Sequence, residues 1–143
     1  MASLKDTREA RNLANRYGLE HCEIAAKYTD EELAKLYNGI GPEAFPKWLR
    51  AVLDTLHPSL APVAFIHDVE WGDSDGTEES FAASNARFKR NGYRVARGLY
   101  PWWRLRRWIV MNDARRFGNL CQSFGWKGWR APYEARVAEE SMT

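Results

Sequence analysis

The stretch PVAFIHDVEWGDSDGTEESFAASNARFKRNG, residues 62–92, decides how the chain folds. Pro62 can open a helix, because the N–H it lacks would be unpaired in a first turn anyway. VAFIHDVEW (63–71) then continues without a breaker until GDSDG (72–76), a polar turn. Thr77 with Glu78 and Glu79 reads as a capped start, its acids placed where the helix dipole favours them. The helix it opens carries Phe81, Ala82, Asn85, Phe88 and Lys89 on one side. Asn91-Gly92 marks its end or a kink. Two helices, 62–73 and 77–91, joined by a short turn, are expected to form the heart of the fold.

Working outward, helical signals continue in both directions. Residues 4–16 are rich in helix formers, and Gly18 stands where a C-terminal cap would. A second short helix is expected over 19–28. Thr29 with Asp30, Glu31 and Glu32 caps a further one, which stops at Asn38-Gly39. Residues 45–56 read as a helix with Pro46 in its first turn and Leu49, Val52, Leu53 and Leu56 on its apolar face. Pro101 opens the last long helix, 101–117 and reaching toward Phe124, and it packs across the central pair. The tail after Pro132 is polar and frays. No alternating strand pattern exceeds a few residues. The expectation is one all-α domain over 1–143, with a core over 29–124 and the 4–17 helix and the 132–143 tail peripheral.

Composition fits that reading. The chain has 143 residues, 45% of them hydrophobic and 28% charged, which suits one domain with its own core. Cys22 and Cys121 are too few for a disulfide scaffold and have no ligand partners at zinc spacing. No apolar run reaches the roughly 18–20 residues of a membrane span. MASLKDTREARNLANRYG (1–18) has no apolar signal core, which points to a cytoplasmic, reducing compartment.

Two short motifs carry chemistry. In AFIHDVEW (64–71) Trp71 lies four residues after His67 on the same face, so His67 is sent toward an apolar interior, where a neutral imidazole is favoured. Asp68 points about 100° away around the helix. One helix can thus aim a base in one direction and an oxygen ligand in the next. A core histidine beside a surface aspartate fits the same letters. In YNGIG (37–41) the two glycines permit positive φ and can turn successive carbonyls inward, as a hard cation such as Ca²⁺ requires. An ordinary turn fits there too.

Taken together, Tyr37-x-Gly39-x-Gly41 followed by His67-Asp68-x-x-Trp71 resembles the calcium loop and catalytic helix of the phospholipase A2 family, in particular its bacterial and phage-type members with few cysteines. The resemblance covers about residues 36–92 and implies an antiparallel helix pair with additional packing helices. It implies His67 as general base, and Ca²⁺ held by Asp68 with the carbonyls of Tyr37, Gly39 and Gly41. The chain departs from the family in three ways. Trp71 stands where the family has Tyr, Asn85 stands where it has the Asp that orients the histidine, and no disulfide frame is present. Helix geometry adds a constraint. With the first helix ending at Trp71, His67 lies about 6 Å from the turn and Asn85 about 12 Å. They come level only if the first helix runs on to about Ser74 or the connection is asymmetric. Asp113 is a substitute candidate for orienting His67, with an ion pair to an arginine as its other reading. The resemblance also leaves room for a non-catalytic descendant of the fold, such as a phage structural or interaction protein.

Charge is unevenly spread. Residues 97–130 hold eight Lys/Arg against Asp113 alone, and five of the seven tryptophans lie between 102 and 129. Trp102, Trp103, Arg104 and Arg107 form a candidate lipid surface, since Trp suits the headgroup region and Arg attracts anionic phospholipid. The same stretch fits a nucleic-acid module using phosphate pairing and stacking. It also fits buried tryptophans with solvated arginines behind them. A net charge of +2 does not mark the whole chain as a nucleic-acid binder.

Overall fold

The computed structural model describes residues 2–37 and 47–143, and the described residues form helices and their connections without strands. The helices are α1 (Leu4–Arg16), α2 (Asp30–Leu36), α3 (Lys47–Asp54), α4 (Ala61–Gly72), α5 (Glu78–Leu99), α6 (Leu105–Phe124) and α7 (Trp126–Met142), with 3₁₀ turns at Cys22–Lys27 and Pro58–Leu60. The all-α expectation holds. Among the described residues no helix is long and apolar enough to cross a membrane.

Local chemistry explains most of the boundaries. Thr29 and Glu32 form a reciprocal capping box at α2, and Thr77 Oγ1 accepts from Ser80 N at 3.2 Å at α5. Gly18 sits at φ +60° after α1, with its N–H on the Asn15 carbonyl, so a Cβ there would be strained. The segment expected as a helix over 19–28 is instead the short 3₁₀ turn, entered through His21 at φ 67°. The helix expected from Pro101 starts later, at Leu105, because Pro101–Arg104 closes a turn through Arg104 N and the Pro101 carbonyl at 3.0 Å.

α4 is the centre. Its residues 65–71 are all buried, and α1, α2, α5 and α7 all pack against it. Its contacts with α5 run in opposite senses along the two helices: Trp71 meets Phe81 at 5.9 Å between ring centroids, and His67 meets Phe88 at 5.1 Å. α1 buries Ala10 and Ala14 in the same core, and Trp129 of α7 joins it, so the core reaches beyond 29–124 at both ends.

Two expectations need correction. Asn91-Gly92 neither ends nor kinks α5, which continues to Leu99. Asn91 is buried and reaches across to the chain after α1, accepting from Glu20 N at 2.8 Å and donating to the Glu20 carbonyl at 3.2 Å. Gly92 is where α6 comes closest, since a Cβ on it would lie 2.3 Å from Ala114 Cβ. The glycine marks a helix crossing, not a turn. Gly92→Val should therefore push α5 from α6 and lower unfolding stability by about 1–3 kcal/mol, read as a drop in the urea midpoint.

The other correction concerns the tail, which is helical to Met142 with Pro132 inside α7. Its cations hold the α4–α5 connection. Arg130 Nη1 donates to the Gly76 carbonyl and Arg136 Nη1 to the Gly72 carbonyl, each at 3.0 Å, and Arg136 Nη2 reaches the Ser74 carbonyl. Trp129 Nε1 donates to the Thr77 carbonyl at 3.0 Å. The Gly72 carbonyl at the end of α4 thereby gains a charged donor, a favourable arrangement at a helix C-terminus, and the connection beyond it is held by the same cations.

Candidate functional site

α4 sends its two motif residues in different directions. His67 is 3% exposed and faces α5 and α6, with Trp71, Phe88 and Phe117 at 4.9, 5.1 and 6.0 Å between ring centroids. His67 Nε2 donates to Asn85 Oδ1 at 3.0 Å, and Asn85 Nδ2 donates in turn to Gln122 Oε1 at 2.9 Å. The pair that helix geometry set about 6 Å out of level is level. α4 extends one residue past Trp71, and the connection 73–77 takes up the remaining offset.

Burial pulls the His67 pKa down to about 4. The Asn85 hydrogen bond opposes that fall, and the charge of Arg87 adds to it. His67 is accordingly a neutral imidazole near pH 7. With Nε2 donating, Nδ1 is the nitrogen left able to accept a proton.

Asp68 is also buried but lies toward α3 and the Pro58–Leu60 turn, where it lines a pocket of about 170 Å³ with Tyr37, Leu56, His57 and Ala64. Burial first, and then Asp68, push the Tyr37 hydroxyl up to about 12. Burial and then the same carboxylate raise the Cys121 thiol. Tyr37 packs edge-on to Phe65 at 5.4 Å and its hydroxyl donates to the Ala61 carbonyl at 3.4 Å. The structure therefore brings two expected calcium ligands, Tyr37 and Asp68, to one pocket. Gly39 and Gly41 lie outside the described residues. Among the described residues no group of three or more His, Cys, Asp and Glu side chains is arranged for a metal.

Asp113 does not orient His67. Its Oδ2 accepts from the backbone N–H of His57 at 3.0 Å, which ties α6 to the chain after α3. Among the described residues no ion pair joins Asp113 to an arginine. The acid caps a backbone donor.

The tryptophans of the basic stretch divide. Trp129 is core, whereas Trp102, Trp103 and Trp108 are 69%, 67% and 51% exposed. Buried tryptophans with solvated arginines behind them is therefore the wrong account of residues 102–108.

Two features escaped sequence reading. Gln122 is exposed on α6 and carries no motif, yet it fixes the Asn85 amide. Glu70, 5% exposed, accepts from His21 Nδ1 at 2.7 Å, from Ser84 Oγ at 3.1 Å and from Arg87. A glutamate among apolar neighbours is the only trace either leaves in the sequence.

Comparison with protein-family models, with curated proteins and with solved structures finds no match to this chain.

Proposed function

We propose that the chain is a phospholipase A2-like, calcium-assisted ester hydrolase in which His67 is the general base. The observation that carries this reading is the 3.0 Å contact of His67 Nε2 with Asn85 Oδ1, made by a buried imidazole that stays neutral near pH 7. That contact leaves Nδ1 to take a proton from water as the water oxygen attacks the ester carbonyl carbon. The same imidazolium then returns the proton to the leaving alkoxide, giving a fatty acid and a lysophospholipid. Asp68, which shares a pocket with Tyr37, would supply a carboxylate to Ca²⁺, with the carbonyls of Tyr37, Gly39 and Gly41 as the remaining hard oxygens the resemblance implies. A bound Ca²⁺ would polarise the ester carbonyl and stabilise the developing oxyanion.

The test is release of fatty acid from phospholipid vesicles during a calcium titration. Wild type should respond to calcium, Asp68→Asn should need at least about tenfold more of it, and His67→Gln should stay at background. No calcium response in wild type overturns the reading.

The rings around His67 and the neutral Asn85 favour a second reading, a non-catalytic interaction protein that keeps the helix pair. It expects no release at all, with His67→Gln folded and unchanged in binding.

A further inference from the structure

The corner between α5 and α6 exposes apolar side chains to an extent a solvated monomer has no use for. Leu105 is 73% exposed, and Leu99, Trp102, Trp103, Trp108 and Ile109 of the same segment are exposed as well. The three tryptophans, Leu105 and Ile109 are linked to one another. Trp102 and Trp103 meet edge to face at 5.9 Å, Trp108 Nε1 donates to the Trp102 carbonyl at 2.9 Å, and Leu105, Trp108 and Ile109 share a face of α6. Contiguous patches of this kind mark interaction surfaces.

The surface is also cationic. Arg97, Arg104 and Arg106 are exposed around it, and the Arg107 guanidinium lies 5.7 Å from the centre of the Trp108 ring. Arg107 Nε is buried there and has no acceptor among the described residues. Asp113, the one acid of residues 97–130, is turned to the His57 N–H.

We infer that this corner docks on an anionic phospholipid bilayer, inserting Trp102, Trp103 and Leu105 at headgroup depth while the arginines pair with lipid phosphates. Three tryptophans with indole N–H groups suit the boundary between headgroup and hydrocarbon, and arginine fits phosphate in a bidentate manner. Leu99, Leu105 and Ile109 decide against nucleic acid. Aliphatic groups have no base face to stack on, whereas hydrocarbon rewards their burial. Charge selects among bilayers, because each arginine near an anionic leaflet adds attraction that a zwitterionic one does not supply. The choice of a lipid occupant rests in part on the phospholipase reading, and binding is measured separately from hydrolysis so that the two can fail independently.

The experiment is co-sedimentation with vesicles of phosphatidylcholine alone and with about one third phosphatidylglycerol, alongside a single-stranded oligonucleotide. Wild type should pellet with the anionic vesicles at least about tenfold more strongly than with neutral ones, its tryptophan emission shifting to the blue. Trp102→Ala with Trp103→Ala should weaken binding by about tenfold or more, and Arg104→Gln with Arg106→Gln should flatten its dependence on salt. These sites are exposed, so circular dichroism should be unchanged. His67→Gln should bind as wild type does, and wild type that docks without releasing fatty acid would retain this inference and remove the phospholipase one. Equal binding to neutral vesicles, binding indifferent to the tryptophan pair, or preference for the oligonucleotide would each overturn it.

Discussion

Between pH 6.5 and pH 4 the protein is expected to lose about 3 kcal/mol of unfolding free energy through His67 alone. The folded imidazole has its pKa pulled down to about 4 by burial, against an ordinary value of 6.5. In that window the unfolded chain binds the proton and the folded chain does not, so acid favours unfolding. The contribution is fully present above pH 6.5, falls as pH drops and levels off below about pH 4. Carboxylates act lower on the scale. Glu20, hydrogen-bonded by Arg90, and Asp30, hydrogen-bonded by Arg8, are held below their usual range, and what they contribute is lost as pH falls further. The interval from pH 6.5 to 5 should carry about 2 kcal/mol of the His67 loss. Burial also lowers His21, which faces Glu70 and Arg87. Comparison with His67→Gln removes that background, since Gln keeps a donor for Asn85 and does not titrate. Urea unfolding at intervals between pH 7 and 5 should give a steep slope for wild type and a shallow one for the variant. Coincident slopes would mean that burial does not hold the folded His67 imidazole neutral in this range.

The fold was legible wherever one residue alone decides a backbone outcome. Thr29 and Thr77 offer a side-chain oxygen to a free N–H, and Gly18 permits a left-handed turn; each did as its chemistry demands. Reading failed where the deciding partner is remote in sequence. Asn91-Gly92 carries the letters of a turn, but the glycine answers to Ala114 and the asparagine to Glu20. The last helix has no apolar stripe to announce it, yet its Arg130 and Arg136 find the Gly76 carbonyl of the α4–α5 connection and the Gly72 carbonyl at the end of α4. The candidate site divides along the same line. His67 and Asn85 stand out by type and spacing, whereas Gln122 has meaning only once α6 lies beside α5. Asp113 was the lone acid of a basic stretch, and that rarity carried no information about His57, fifty-six residues earlier.

Asn85→Asp ties the chemistry to the pH dependence and should reverse its sign. A carboxylate 3.0 Å from His67 Nε2 favours the imidazolium, raising the histidine above 6.5 in the folded state. A group so raised contributes stability at low pH that is lost as pH climbs through its folded value. Between pH 6.5 and 5 the slope should accordingly invert relative to wild type. Catalysis, under the phospholipase reading, should gain as well, because the imidazolium forms as water is deprotonated. The opposite change, Asp to Asn in a serine-protease triad, costs about 10⁴ in kcat, part of it from a wrong tautomer. Here Gln122 already turns the Asn85 oxygen toward His67, so tautomer and orientation are in place and only the charge is missing. The gain expected is therefore smaller than that loss, about 10²-fold. Nitrogen-detected NMR of the imidazole and fatty-acid release read the two effects apart. An inverted slope with faster release places His67 at the chemical step, while an inverted slope with no release makes it a buried structural group. An unchanged slope would remove the His67–Asn85 contact on which both expectations stand.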